Sequence, residues 1–238
     1  MTYIILAAGK GTKLRPLTLK YSKTQYKLDT KTTILQRMVR MIRKYDKHAE
    51  VAVVVGYKAD DVRKELEFEN VKFIFNPFYE VTGSVASLWF ARDYLERENA
   101  VILNGDIVLD ETLIRDYVCQ ITTRPYVLAD SSSRESGRYY IQANEKRVLV
   151  LSKDLDERYG EYCHVTKLDA VSARLLKREV DNMVCEEMYD QNYESALVQM
   201  IFSSGFYLYY KDIAGKSWVE IERVDDMIRA QQIHRGTI

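Results

Sequence analysis

The chain is poor in cysteine, and the three it has, Cys119, Cys163 and Cys185, lie far apart among 238 residues. An odd number of widely spaced thiols fits neither a disulfide framework nor a zinc cluster, so we expect a reducing compartment, the cytoplasm. Proline is equally scarce, with three residues, while 47% of the chain is hydrophobic. This composition excludes a disordered, low-complexity protein and predicts a compact globular one.

Net charge and long apolar runs are also missing. The 35 basic residues balance 35 acidic ones, so the chain has no overall field that would attract nucleic acid or an anionic membrane. No apolar stretch approaches the roughly 18 residues needed to span a bilayer. Residues 1–6 lack the basic segment that begins a signal peptide. We therefore expect neither nucleic acid nor a membrane as a partner.

The order of apolar residues alternates between strand and helix patterns, without a linker that would divide residues 1–238 into two domains. In the first half, strands are expected at 3–6, 51–55, 71–75 and 100–103, and helices at 34–42, 59–66, 87–95 and 113–118. The second half, from about residue 126, is more mixed, with strands at 126–129, 139–143, 147–151, 205–210 and 218–221, and helices at 172–184, 194–202 and 224–232. An antiparallel extension on one side of a parallel sheet would account for this mixture. This order predicts an α/β fold: one Rossmann-like, doubly wound domain whose mixed sheet is mostly parallel, with helices on both faces.

A glycine-rich segment, LAAGKGTKLRPLT, follows the first strand at residues 6–18. Gly9 and Gly11 would let backbone N–H groups approach phosphate oxygens closely, and Lys13 adds positive charge there. The spacing is neither that of a Walker loop nor that of the dinucleotide fingerprint. A plain tight turn is the alternative for so short a glycine pair.

Taken whole, this segment resembles the signature of the sugar-phosphate nucleotidyltransferase family over thirteen consecutive positions. The resemblance implies a nucleotide-diphospho-sugar transferase-like fold that binds an NTP in residues 1–125 and a small phosphorylated acceptor in residues 126–238. It also implies Mg²⁺ as cofactor. It assigns contacts with the nucleotide to the following residues: Leu6, Ala7, Ala8, Gly9, Gly11, Thr12, Lys13, Lys23, Gly56, Tyr57, Ser87 and Asp106.

The lysine cluster after this segment extends the resemblance. Where the family has a Pro-Lys pair, this chain has Ser22-Lys23. The family's lysine neutralises the phosphates around the reacting α-phosphorus, so the resemblance gives Lys23 that role. Because Lys20 and Lys27 lie nearby, a solvated basic surface is the alternative.

Two acidic segments resemble the family's metal ligands. Asp106 directly follows the strand at 100–103, and the carboxyl ends of strands form the edge where ligands bind in open α/β sheets. The segment at 218–226 resembles the family's late Glu-Ile-Asp, with Glu222 in place of the aspartate. The resemblance implies that Asp106 and Glu222 hold Mg²⁺, which prefers oxygen ligands. A turn aspartate and the solvent-exposed face of a strand are the respective alternatives, the latter including Glu220.

The acceptor side is marked by two further resemblances. Residues 146–153 are similar to a strand that ends in a lysine gripping the acceptor's phosphate, which implies this role for Lys153. Residues 76–79 and 83–89 resemble the phosphocholine cytidylyltransferase-like branch. That branch implies CTP as donor and a small zwitterionic acceptor such as phosphocholine, with Trp89 and Glu194 among its contacts. An ordinary core position is the alternative for Trp89.

One position in this half departs from the pattern. Relatives often have a glycine in this segment, so His164 or Cys163 would narrow the acceptor pocket; a buried structural histidine is the alternative.

The implied reaction needs no general base. An ionised phosphate or phosphonate oxygen would attack the α-phosphorus in line and displace pyrophosphate, with Lys13, Lys23 and Lys153 as catalytic cations. A sugar-1-phosphate nucleotidyltransferase using UTP, dTTP or GTP is the nearest alternative. A non-catalytic nucleotide-binding protein is a second, because Lys13 and Glu222 replace the usual arginine and aspartate. A glycosyltransferase is disfavoured, since residues 106–108 lack the second aspartate of its metal motif. The sequence leaves a homodimer open.

Overall fold

The computed structural model describes residues 1–97, 99–133 and 138–237. Its strands are β1 Thr2–Ala7, β2 Glu50–Val55, β3 Lys72–Phe75, β4 Ala100–Asn104, β5 Ile107–Leu109, β6 Tyr126–Asp130, β7 Tyr140–Asn144, β8 Arg147–Ser152, β9 Gly160–Leu168, β10 Tyr209–Asp212 and β11 Trp218–Glu220. Its helices are α1 Ile34–Tyr45, α2 Ala59–Glu65, α3 Ser84–Phe90, α4 Glu111–Leu113, α5 Ala170–Cys185, α6 Glu194–Ser204 and α7 Val224–Arg235. A π-helical turn, Ile114–Val118, extends α4, and short 3₁₀ turns lie at Thr12–Leu14, Leu17–Leu19, Lys23–Gln25 and Arg92–Glu96.

The main sheet runs through both halves of the chain in the order β3-β2-β1-β4-β9-β6-β10-β8-β7. The four strands of the first half are parallel, as the strand–helix alternation predicts. In the second half, β9 runs antiparallel to both β4 and β6, and β8 runs antiparallel to β7 and β10. The antiparallel extension expected from the mixed second half is therefore confirmed. The expectation that the sheet is mostly parallel is wrong, because among the described strands beyond β4 only β6 and β10 pair in parallel. A short turn joins β7 to β8, whereas a parallel pair needs a long crossover.

The two faces of the sheet carry separate apolar cores, as strand alternation requires. Along β1, Tyr3 and Ile5 pack into the core beneath α1 and α2, whereas Ile4 packs into the core beneath α3, α5 and α6. Each fully buried Leu or Ile side chain in these cores contributes roughly 1.5–3 kcal/mol. The predicted α/β class is confirmed, with helices on both faces.

The sequence pattern missed β9, the strand that joins the two halves of the sheet. All of its side chains are buried, although several are polar. Lys167 illustrates why the sheet tolerates them: its ammonium donates to the carbonyls of Tyr117 and Val118 at 3.0 and 2.8 Å, at the end of the π-helical turn. Burial lowers the pKa of Lys167 to about 8. Because polar side chains such as Lys167 interrupt β9, the strand lacks an alternating apolar pattern. The partners that make their burial possible are remote in sequence.

A two-stranded sheet formed by β5 and β11 brings the end of the chain to the edge of β4. The register pairs Glu220 with Ile107, and the N–H of Ile221 donates to the carbonyl of Asp106 at 3.0 Å. The strand at 218–221 was predicted, but its three-residue partner β5 was not. Among the described residues, no helix has the length and apolar character needed to cross a membrane.

Candidate active site

Two adjoining clefts open at the carboxyl ends of β1 and β4, the edge at which open α/β sheets bind ligands. The first has a volume of about 290 Å³ and the second of about 130 Å³. Ser84, Asn104 and Asn192 line both. A molecule in one cleft would therefore lie against a molecule in the other.

The first cleft gathers most of the nucleotide contacts that the resemblance implied. Its walls include Leu6, Ala7, Ala8, Gly9, Gly11, Lys23, Ser87 and Asp106. Thr12 and Lys13 follow in the 3₁₀ turn beyond the loop. Gly56 and Tyr57 support the loop from behind, since Tyr57 donates its N–H to the carbonyl of Ala8 and its hydroxyl to that of Thr18.

The glycines of the loop have distinct physical roles. Gly11 has a φ of 60°, in the left-handed region, and its carbonyl accepts a hydrogen bond from the hydroxyl of Thr18 at 2.9 Å. A Cβ at Gly9 would meet no atom within 4 Å, so Gly9 leaves open space in the cleft wall rather than relieving a packing conflict. This open backbone is what a close approach by phosphate oxygens requires.

The far end of the first cleft is organised by Asn76, whose side chain is fully buried. Its amide donates to the hydroxyls of Thr82 and Ser87 at 3.2 and 3.0 Å, and its carbonyl oxygen accepts from the N–H of Phe78 at 2.9 Å. These bonds hold the loop at 76–83 against the start of α3. Tyr79 and Ser87 thereby face the cleft together.

An ion pair lies in the wall of the first cleft, near carboxylates that line the second. The Nζ of Lys23 is 2.5 Å from Oδ2 of Asp106, and only 14% and 18% of the two side chains are exposed. Burial lowers the pKa of Lys23, but attraction by Asp106, Glu220 and Glu222 outweighs it and raises the pKa above its ordinary value. Lys23 is therefore a buried cation, and not part of a solvated basic surface.

Glu222 reaches the same region from the other end of the chain. Its Oε1 is 2.7 Å from Nζ of Lys13, and its Oε2 is 3.3 Å from the guanidinium of Arg138. The pairing of β5 with β11 brings Glu222 close to Asp106, because the N–H of the preceding residue, Ile221, donates a hydrogen bond to the carbonyl of Asp106. Glu220 is 9% exposed, which excludes the solvent-exposed face that was its alternative.

The acidic groups here fit a magnesium ion. Among the described residues, no group of three or more His, Cys, Asp and Glu side chains could hold a metal. Mg²⁺ needs only one or two protein carboxylates when phosphates and water complete its shell. Oδ1 of Asp106 is buried without a hydrogen-bond partner, so it has a free ligand position. To bind the metal, Glu222 would have to break its ion pair with Lys13.

The second cleft is built around buried charges of both signs. Arg138 lies 3.2 Å from Glu220 and 3.1 Å from Asp226, in addition to its contact with Glu222. Burial lowers the pKa of Arg138, yet these carboxylates raise it above its ordinary value. Asp226 also accepts the backbone N–H groups of Glu222 and Arg223 at 2.8 Å, which fixes the segment that carries Glu222.

His164 is the third cation of this cleft. Nδ1 lies 3.4 Å from Oε1 of Glu194, and Nε2 lies 3.3 Å from Oε2 of Glu220. Burial lowers the pKa of His164, but attraction and hydrogen bonding by the two carboxylates raise it to about 10. The ring is therefore an imidazolium at neutral pH.

We expect His164→Asn to remove a pH dependence of stability. With a pKa of about 10 in the folded chain and 6.5 unfolded, the protonated ring stabilises the fold fully below a pH of about 6.5, and this stabilisation is lost as pH rises towards 10. The melting temperature of the unmodified protein should fall relative to that of the variant across this window, as thermal unfolding measured at several pH values would reveal. Parallel curves would contradict the imidazolium assignment.

The acceptor contacts expected from the sequence separate into two groups. Lys153 and Glu194 line the second cleft. Trp89 lines neither cleft: its ring lies against the core, with the guanidinium of Arg92 over its face at 3.9 Å. Its position therefore does not support the predicted acceptor contact. Tyr139 offers an aromatic face instead, with Nζ of Lys153 over its ring at 5.1 Å.

Several lining residues carried no recognisable sequence signal. None of Arg138, Tyr139 and Asn192 belongs to a motif. In a segment of mixed pattern, the sequence does not distinguish a buried arginine from an exposed one. Asn104 could have been found, because it directly precedes Gly105 and Asp106 at the end of β4. Its amide nitrogen lies 3.0 Å from Nδ1 of His164.

Comparisons with known proteins found relatives that are similar in sequence and in fold. The model of the MobA-like NTP transferase domain matches residues 3–180. The choline-phosphate cytidylyltransferase of Streptococcus pneumoniae is 22% identical over 98% of both chains. The solved structure of CTP:phosphocholine cytidylyltransferase from S. pneumoniae superposes with a TM-score of 0.81 at 20% identity, over 98% of each chain, which shows a shared fold.

Other relatives match only in part. The bifunctional protein GlmU of Caldicellulosiruptor saccharolyticus is 34% identical over 44% of this chain. The matched stretch spans 22% of that relative, so the chain covers much less than two thirds of its length.

Proposed function

Because the chain belongs to the MobA-like NTP transferase domain family, we propose that this nucleotidyltransferase moves CMP from CTP to a small zwitterionic phosphate or phosphonate, such as phosphocholine. The observation that carries the proposal is the junction of two clefts along Ser84, Asn104 and Asn192, with the Lys23–Asp106 ion pair in the wall of the first. The first cleft has a backbone loop suited to a triphosphate, and the second is small and lined by charges of both signs. A donor and an acceptor bound side by side would meet at that junction.

The chemistry follows from this geometry. An acceptor oxygen forms a bond to the α-phosphorus while the bond from that phosphorus to the bridging oxygen of pyrophosphate breaks. The ionised acceptor already has the attacking electron pair, so this chain's residues position and neutralise rather than remove a proton. Lys23 stabilises charge at the α-phosphate, and Lys13 and Lys153 do so on the flanking phosphates. A bound Mg²⁺, held by Asp106 and Glu222, would supply further charge neutralisation.

The second cleft supports a zwitterionic acceptor over a neutral one. Lys153 supplies a cation for the acceptor's phosphate, and Glu194 supplies a carboxylate in the same cleft. The Tyr139 face next to it would attract an ammonium group by about 0.5–2 kcal/mol. The likeness to the S. pneumoniae cytidylyltransferase along 98% of the chain supports CTP as donor.

A pyrophosphate-release assay tests the proposal directly. Each of CTP, UTP, GTP and dTTP is combined with phosphocholine, 2-aminoethylphosphonate, glucose 1-phosphate or mannose 1-phosphate, with and without Mg²⁺. We expect turnover with CTP and the two zwitterions. Turnover only with a sugar 1-phosphate would favour the sugar nucleotidyltransferase alternative. CTP binding without pyrophosphate release in any combination would favour the non-catalytic alternative.

We expect Gly9→Ala to raise the KM for CTP by about tenfold or more while leaving the fold intact. The new methyl group meets no protein atom within 4 Å, so the melting temperature should change little. It does project where a phosphate would approach the loop. Steady-state kinetics at saturating acceptor and a thermal melt measure both effects.

Gly83→Ala is the contrasting variant. A Cβ there would lie 2.1 Å from the carbonyl oxygen of Gln191 and 2.4 Å from that of Asp190, which are backbone atoms that cannot move aside locally. Such overpacking costs 1–3 kcal/mol or more, so this variant should melt at a clearly lower temperature. If Gly9→Ala destabilised the chain as much as Gly83→Ala, or left the KM for CTP unchanged, Gly9 would not belong to the phosphate-binding wall.

A further inference from the structure

His164 has a backbone conformation that histidine seldom adopts. Its φ is 54°, in the left-handed region, although it lies inside β9 and is 95% buried, with 5% of the residue exposed. A non-glycine residue held there costs about 1–3 kcal/mol, and such residues cluster at functional sites. Glycine would fit this backbone without strain. The side chain must therefore contribute something that glycine would not.

The contribution of the ring is visible in its surroundings. The ring centroids of Tyr139 and Tyr162 lie 6.0 and 4.9 Å from the centroid of the imidazole, which forms part of the wall of the second cleft. What remains of that cleft is about 130 Å³. This is well below the roughly 300–1,000 Å³ typical of sites for drug-sized molecules.

The ring also governs the two carboxylates beside it. Glu194 and Glu220 come from different elements, α6 and β11, and are held by opposite nitrogens of the same imidazolium. In Glu194 the contact is made by Oε1, and in Glu220 a single oxygen, Oε2, is shared by His164 and Arg138. Both carboxylates line the cleft. The imidazolium thus fixes the position of each and offsets part of their negative charge.

We propose that His164 is the specificity-determining residue of the acceptor cleft, excluding a hexose ring by its volume and holding the carboxylate of Glu194 in position for a small cationic head group. This inference rests on the function proposed above, since it assumes that the second cleft binds the acceptor.

The test compares phosphocholine with glucose 1-phosphate as acceptors. His164→Gly removes the ring and suits the backbone at this position. His164→Asn keeps a polar group, tolerates the left-handed region and lacks the cation. Glu187→Gly is the matched control, because Glu187 also has a positive φ, 62°, but is exposed and lines neither cleft.

We expect His164→Gly to shift the ratio of kcat/KM for the two acceptors towards glucose 1-phosphate by at least tenfold, with the KM for CTP unchanged. His164→Asn should raise the KM for phosphocholine about tenfold and give a smaller shift. Glu187→Gly should leave the ratio unchanged. A ratio within twofold of the unmodified enzyme in a folded His164→Gly protein would overturn the inference while leaving the proposed function in place. Turnover of glucose 1-phosphate and not phosphocholine by the unmodified enzyme would overturn both.

Discussion

Replacing Asp106 with asparagine is expected to lower kcat by a factor of about 10²–10³, the range seen when one group that stabilises transition-state charge is removed. Asparagine keeps the shape of the side chain and can still accept a hydrogen bond from Lys23. It removes the negative charge and the unpartnered carboxylate oxygen, which is the free ligand position for Mg²⁺. Pyrophosphate release under saturating CTP and acceptor measures the loss.

Asp60→Asn is the matched control for that variant. Asp60 is an exposed carboxylate paired with Arg63 on the surface of α2, so its loss should leave turnover within twofold. The half-saturating Mg²⁺ concentration separates metal binding from other roles: it should rise in Asp106→Asn and stay constant in the control. Full activity of Asp106→Asn, at an unchanged Mg²⁺ requirement, would remove Asp106 from the metal site.

The first half of the fold could be predicted because local patterns there agree with the final structure. β2 is a valine-rich apolar run buried on both faces, and α1 has an apolar stripe at helical spacing. β9 could not be predicted in the same way. Its polar side chains become acceptable only through remote partners, such as the carbonyls that receive Lys167, and a sequence does not display those pairings.

The residues of the candidate site likewise divide into those that local sequence patterns predict and those that they do not. Gly9, Lys23 and Asp106 could be proposed because each lies in or beside a recognisable segment at the end of a strand. The network around Arg138 could not, because it depends on β5 pairing with β11 and on three acidic residues converging from the end of the chain. Trp89 shows the limit of the same reasoning, since it lies beside a recognisable segment but does not line either cleft.

The structure ranks the three predicted catalytic lysines. Lys13 is 60% exposed and Lys153 is also exposed, whereas Lys23 is 14% exposed and lines the first cleft. A buried charge acts through a lower effective dielectric than an exposed one, so its interaction with a nearby phosphate is stronger. We therefore expect the greatest loss of turnover from Lys23.

Lys23→Met is expected to lower kcat by about 10²–10³ with little change in the KM for the acceptor, because charge on the α-phosphate grows during transfer. The same substitution leaves Asp106 buried without its cation, and breaking a buried pair from one side costs about 3–5 kcal/mol. A loss of activity in this variant alone would therefore not distinguish a catalytic defect from a loss of stability.

The double variant Lys23→Met with Asp106→Asn separates these two effects. Removing both charges leaves neither side of the pair uncompensated, so the melting temperature should recover most of what Lys23→Met loses. Turnover should not recover, since neither the cation nor the candidate metal ligand is present. Recovery of turnover along with stability would mean that the Lys23–Asp106 pair holds the fold without serving the reaction. A loss confined to the KM for the acceptor in Lys23→Met would instead reassign Lys23 to ground-state binding.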